Sequence, residues 1–148
     1  LFIEHGMIYR NTYEVPEEYY DIPFGKANTL EFGEDITIIS YSKMVCLSLE
    51  ISDILKKEYN VSCDVIDLRT LNPLDIDLIA SSVKKTSQAM VIEEMCKTGG
   101  FASEIISEIH SRRISVLVCV PKMLEVLRDH VARVAPELHE APAATEHA

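Results

Sequence analysis

An α/β fold is predicted for this 148-residue chain: three layers, with a mainly parallel sheet of four to five strands covered by helices on both faces. Three observations carry the prediction. Short β-branched runs alternate with amphipathic segments of helical period, the pattern of crossover connections between parallel strands. Two of the runs, Ile36 to Ile39 and Ile114 to Val120, are apolar almost throughout, as strands buried on both faces must be. Hydrophobic residues make up 47% of the chain, enough to fill a core of that size.

Taken in order, the elements begin with an entry segment over residues 1–35. FIEHGMIY is apolar enough for a short strand or the end of one. NTYEVPEEYYDIPFGKA is a polar connector in which Pro16 and Pro23 disfavour helix. ITIISYS (Ile36 to Ser42) reads as a strand, bounded by Gly33, Glu34 and Asp35. In the helix that follows, Met44, Leu47, Ile51, Ile54 and Leu55 recur on one face, and Ser48, Glu50, Asp53, Lys56 and Lys57 fall mainly on the other.

CDVIDLR (Cys63 to Arg69) is the second strand. After Asn72-Pro73 a second helix turns Ile76, Ile79 and Val83 inward and ends on Lys84-Lys85, cations suited to a helix C-terminus. AMVIEEM (Ala89 to Met95) is the third strand and CKTGGF a turn. The third helix places Phe101, Ile105 and Ile109 on one stripe, with Ile106 beside it. ISVLVCV (Ile114 to Val120) is the fourth strand, and Pro121 opens a helix carrying Leu124, Leu127, Val131 and Val134. Residues 136–148 lack periodicity and are expected to be a disordered tail.

Charge narrows the partners. The chain carries 24 acidic against 14 basic residues, a net charge of −10, and the excess is uneven. Residues 1–35 hold eight acidic and two basic residues, whereas residues 36–120 hold eleven and nine. A nucleic-acid partner is not expected, because phosphate binding needs a basic face. The acidic stretch either solvates the surface or meets a basic protein.

No apolar run is long enough to cross a membrane, so no membrane partner is expected. The start LFIEHGMIYR lacks the features of a signal peptide, and its opening on Leu-Phe-Ile reads as a piece of a longer protein. The four cysteines (Cys46, Cys63, Cys96, Cys119) stand singly, without a CxxC pair. They read as buried reduced thiols of an intracellular protein rather than a zinc or redox site.

Candidate sites gather where strands hand over to helices. Gly99-Gly100 permits a tight strand-to-helix turn. It lacks the GxGxxG spacing and any Walker lysine, so a structural turn is favoured over a phosphate cradle. Glu93 and Glu94 should point to opposite faces and so form no carboxylate pair; hydrogen bonds to the glycine turn or contact with another subunit is the favoured role. Asp67 and Arg69 share a face and suit an ion pair or brace better than a substrate clamp. Asn72-Pro73 with Asp75 suits a turn and helix start. His5, His110, His130, His139 and His147 show no HExxH or triad-like grouping, His110 and His130 falling at solvent margins of helices. No residue is assigned a catalytic, cofactor-binding or metal-ligating role.

DLRTLNPLD at Asp67 to Asp75, together with VIEEMCKTGGFASEI, resembles the C-terminal domain of transketolase-type enzymes. The likeness is nearest to beta subunits of the thiamine-diphosphate-dependent pyruvate dehydrogenase component. LFIEHGMIY and VPEEYYDIPFGKA resemble that family's passage from a pyrimidine-binding domain into the C-terminal domain. The resemblance covers residues 1 to about 110 as an ordered set of blocks, a length typical of one domain. It implies three parts: residues 1–35 as the end of a preceding pyrimidine-binding domain and linker, 36–135 as a transketolase C-terminal-like α/β domain, and 136–148 as a tail.

Functionally the resemblance implies a subunit of an enzyme that decarboxylates pyruvate oxidatively and passes acetyl to lipoyl-lysine. Thiamine diphosphate and magnesium belong to the full assembly, with neither bound by this segment, which is expected to be inactive alone. The implied partners are an alpha subunit and a second beta subunit in an α2β2 assembly, and a dihydrolipoyl acetyltransferase core. The implied location is the bacterial cytoplasm, or the mitochondrial matrix or plastid of a eukaryote. A branched-chain 2-oxoacid or acetoin dehydrogenase beta subunit is the near alternative, and a non-catalytic assembly module the distant one. The sequence departs from the family after His110: Val118 to Pro121 holds no aspartate where an LDAP-like turn would lie. No docking residue is therefore carried over.

Overall fold

The computed structural model describes residues 1–96 and 99–114 and the backbone of residues 117–118. The sequence-predicted helix after Pro121, the tail over 136–148 and most of the strand at Ile114 to Val120 lie outside the described residues. In chain order the regular elements are a 3-10 turn at Gly6–Arg10, β1 (Asn28–Glu31), β2 (Ile36–Ser40), α1 (Met44–Tyr59), β3 (Cys63–Asp67), α2 (Ile76–Thr86), β4 (Gln88–Ile92), α3 (Ala102–Ser111) and β5 (Leu117–Val118). The sheet runs β1-β3-β2-β4-β5. All of its pairings are parallel except that of β1, which runs antiparallel along β3 as an edge strand.

Strand parity builds the layers. Ile36 and Ile38 point to one face, where they pack with Cys63, Val65, Met90 and Ile92 beneath Ile51 and Leu55 of α1. Ile39, Ile66 and Ala89 point to the other, beneath Ile79 and Val83 of α2 and Ile105 and Ile109 of α3. Both faces of β2 are thus closed by apolar side chains, which accounts for its unbroken run of buried residues. The three-layer, mainly parallel sheet expected from the sequence is the one observed.

Helix ends follow local chemistry. Asp75 caps α2, its Oδ1 accepting from the Leu78 amide at 3.3 Å. Asn60 and Ser87 close α1 and α2 in the left-handed region, at φ 54° and 59°. Lys56 and Lys57, and Lys84 and Lys85, sit in the last turns of these helices, against the negative end of the dipole.

Four details differ from the sequence reading. FIEHGMIY forms no strand; its centre is the 3-10 turn, capped by His5 Nδ1, which accepts from the Met7 amide at 3.2 Å. Residues 28–31, within the entry segment and assigned no element from the sequence, form β1, so the sheet begins before residue 36. Ser48, placed on the outer face of α1, is fully buried, its hydroxyl satisfied by the Met44 carbonyl at 2.8 Å. Of the thiols expected to be buried, Cys63 is buried, Cys46 half-buried and Cys96 exposed, and Cys119 lies outside the described residues.

A buried polar chain ties the amino ends of the strands to α2. Asp64 Oδ1 accepts from the Gly33 amide at 2.9 Å, and Oδ2 from Ser82 at 2.6 Å and Lys85 at 2.7 Å. The Thr37 hydroxyl lies 2.7 Å from Ser82 and 2.8 Å from Thr86. Burial pushes the Asp64 carboxyl upward. The hydrogen bonds from Lys85, Ser82 and Gly33 outweigh it and hold the group below its ordinary value. Gly33 packs on the Cys63 backbone so closely that a Cβ has no room.

Candidate functional site

The strand order reverses between β2 and β4, since the connection after β2 leads to β3 on one side and the connection after β3 returns past it to β4. Open parallel sheets bind their ligands outside the carboxyl ends at such a point. Here that edge is formed by Tyr41, which follows β2, by Glu93, which follows β4, and by the glycine turn leading into α3. Pairing of Ser40 with Ile92 places Tyr41 and Glu93 side by side. The Ser40 hydroxyl adds a bond to the Ile92 carbonyl at 2.9 Å.

The crevice is filled from within. Glu93 Oε2 accepts from the Tyr41 hydroxyl at 3.1 Å and from the Ala102 amide at 3.0 Å. That amide is among the free donors of the first turn of α3, where a phosphate would otherwise be held. Glu93 Oε1 lies against Gly100, which is buried, and any Cβ there would overlap the carboxylate. Burial, and then the bond to Glu93, push the Tyr41 phenol up to about 12. Among the described residues, Tyr41, Glu93 and the Ala102 amide satisfy one another at this edge.

Glu94 diverges from Glu93 as the strand alternation predicts. It is exposed and meets His5, whose Nε2 is 3.1 Å from Oε2. Lys43, before α1, donates to the Met7 sulfur at 3.1 Å, so the 3-10 turn rests on this same edge. At the end of β3, Asp67 and Arg69 form the expected brace through the backbone: the Arg69 amide donates to Asp67 Oδ1 at 3.1 Å, with Arg69 at φ 54°. Burial raises the Asp67 carboxyl above its ordinary value.

The Asn72-Pro73 turn serves the helix start and anchors the connector. Gly25 donates its amide to Thr70 Oγ1 at 2.9 Å, and the Ala27 amide reaches Asp75 Oδ2 at 3.2 Å. His110 is exposed, as expected, and His130, His139 and His147 lie outside the described residues. Among the described residues no three His, Cys, Asp or Glu side chains stand together to hold a metal ion. Of the helix starts that follow β2 and β4, that of α3 has its Ala102 amide taken by Glu93.

Three residues with structural roles were missed in the sequence: Tyr41, Asp64 and Lys85. Tyr41 becomes visible only once β2 and β4 are known to be neighbours in that register. The Asp64–Lys85 pair had a signal, an aspartate inside an otherwise apolar strand, but no sequence spacing links it to a lysine 21 positions on.

The model of the family described as "Transketolase, C-terminal domain" matches residues 25–141. A Bacillus subtilis protein named pyruvate dehydrogenase E1 component subunit beta is 46% identical over 115 residues, covering 77% of this chain and 35% of that protein. The protein of the same name from Staphylococcus epidermidis is 44% identical over the same length. That from Rickettsia bellii is 46% identical over 94 residues, 64% of this chain and 29% of its own. The chain thus spans about a third of the length of the curated relatives it matches. Among solved structures, "Split gene transketolase, inactive beta4 tetramer" superposes with a TM-score of 0.60 at 30% identity, covering 70% of this chain and 36% of that one.

Proposed function

This chain belongs to the transketolase C-terminal domain family, and from that membership we propose that it is part of the beta subunit of pyruvate dehydrogenase, acetyl-transferring. The complete assembly would decarboxylate pyruvate oxidatively and deliver acetyl to lipoyl-lysine. Identity of 42–46% to proteins of that name supports pyruvate over the branched-chain and acetoin alternatives.

The observation that carries the division of labour is the Glu93 plug. With the switch-point crevice closed by Tyr41, Glu93 and the glycine turn, this domain supplies architecture. Thiamine diphosphate, which supplies the electron sink for decarboxylation, and magnesium are held elsewhere in the assembly. The proposed partners are an alpha subunit, a second beta subunit and the dihydrolipoyl acetyltransferase core. The proposed location is the bacterial cytoplasm, or the matrix or plastid of a eukaryotic cell. We propose residues 1–35 as the end of a pyrimidine-binding domain and linker, with β1 paired along β3 of the α/β unit.

A chimera tests the reading. The matching third of the Bacillus subtilis beta subunit is replaced by this chain, and lipoyl acetylation is assayed with pyruvate and with 2-oxoisovalerate. Assembly with pyruvate-dependent turnover is the expected result. A chimera that fails to assemble, or that assembles without pyruvate-dependent turnover, would contradict the reading.

A further inference from the structure

We infer that residues 13–24 form a docking segment for a partner protein with an arginine-rich surface. The segment is a loop with both feet fixed. Asn11 and Tyr13 rest on Cys46 at 3.9 and 3.8 Å, and beyond it Gly25 and Ala27 are tied to Thr70 and Asp75. Between the feet, no hydrogen bond or ion pair joins residues 14–22 to the other described residues. The loop turns its apolar and aromatic side chains outward: Tyr19 is 94% exposed, Phe24 84%, Val15 66% and Tyr20 52%. Single exposed apolar residues need no explanation, but a run of them on a tethered loop marks a contact surface.

The chemistry selects the occupant. Glu14, Glu17, Glu18 and Asp21 interleave with the aromatics, and no basic residue lies between Asn11 and Gly25. Guanidinium groups pair with carboxylates in bidentate fashion and stack on tyrosine faces, both at once on a surface of this composition. Lysine pairs with carboxylates as a point charge without the bidentate fork, and stacks on tyrosine less well. A second copy is disfavoured because each chain carries a net charge of −10 and would bring the same acidic loop. Pro16 and Pro23 restrict the free loop and so lower the entropy lost on docking. The inference stands on this loop alone, whichever 2-oxoacid the assembly takes.

The test uses the whole 148-residue chain and labelled oligo-arginine and oligo-lysine peptides of equal length. Binding is read by fluorescence anisotropy at low and physiological salt. Oligo-arginine should bind roughly three- to tenfold tighter than oligo-lysine. Tyr19→Ser with Tyr20→Ser should erase that preference. Glu14→Gln, Glu17→Gln, Glu18→Gln and Asp21→Asn together should abolish binding of both peptides, while the same loss of charge at Asp53, Glu58, Glu104 and Glu108 leaves it. Circular dichroism confirms folding of each variant. Equal binding of the two peptides, or equal weakening by the two charge-removal sets, overturns the inference. So does a dimer, seen by sedimentation, that Tyr19→Ser with Tyr20→Ser dissolves, because a second copy would then be the occupant.

Discussion

The Tyr41 hydroxyl donates to Glu93 Oε2 at 3.1 Å, joining the carboxyl ends of two strands separated by 52 positions in the chain. The same oxygen holds the Ala102 amide, so one carboxylate closes the switch point and caps α3, whose own N-cap residue, Phe101, offers no side-chain bond.

Gly100→Ala should destabilise the domain by about 1–3 kcal/mol, because the added methyl must displace the Glu93 carboxylate. Urea midpoints measure it. Glu93→Ala should cost as much by orphaning the Ala102 amide, and in a Glu93→Ala background the Gly100→Ala cost should fall without vanishing, since the methyl still meets the Cys96 carbonyl oxygen at 2.9 Å. Equal costs in the two backgrounds would show that the two positions do not interact.

Alkaline unfolding should report the same contact. The Tyr41 phenol is raised from 10 in the unfolded chain to about 12 in the fold. Its contribution is therefore complete below pH 10 and lost as pH rises through 12, where a phenolate can no longer donate to Glu93. Tyr41→Phe should flatten the fall in stability across that window, while leaving the contribution of Cys63 in place. An unchanged slope would remove Tyr41 from the account.

At the opposite edge, Lys85→Met should cost about 1–3 kcal/mol, since it leaves the Asp64 carboxylate, 3% exposed, with hydroxyl and amide donors alone. A fully buried pair would cost more, but Lys85 keeps a third of its side chain in water. The lowered Asp64 carboxyl sets the sign with pH: its stabilisation is present above the ordinary carboxylate value and lost as pH falls through the depressed one. Asp64→Asn should blunt the acid limb of unfolding, which pH titration of the urea midpoint checks.

Thiol labelling separates the cysteines. Of the three described cysteines, Cys96 is exposed and should react with iodoacetamide first, followed by Cys46. Cys63, buried and pushed up to about 11 by that burial, should react only on unfolding. Mass spectrometry of the native protein over time gives the order, and early labelling of Cys63 would contradict the packing beneath α1.

The alternation of strands and helices was legible because its signal is periodicity: Ile36, Ile38 and Ile39 announce a strand buried on both faces, and Ile105 and Ile109 the inner stripe of α3. The structural role of Glu93 was legible too, because a strand-end glutamate beside a glycine turn has few other places to go. What stayed hidden depends on contacts distant in sequence. NTLE becomes a strand only because β3 offers it an edge, with Asn28 opposite Asp67. Ser48 reads as polar and outward, yet a backbone carbonyl one turn away satisfies it inside the core. Tyr41 acquires its role from a register that no local pattern encodes.

The central claim is that this domain lends structure to a cofactor enzyme without holding the cofactor. Titration calorimetry of thiamine diphosphate with magnesium into the 148-residue chain tests it most directly. No heat beyond dilution is the expected result, and saturable binding at micromolar concentration would contradict the account.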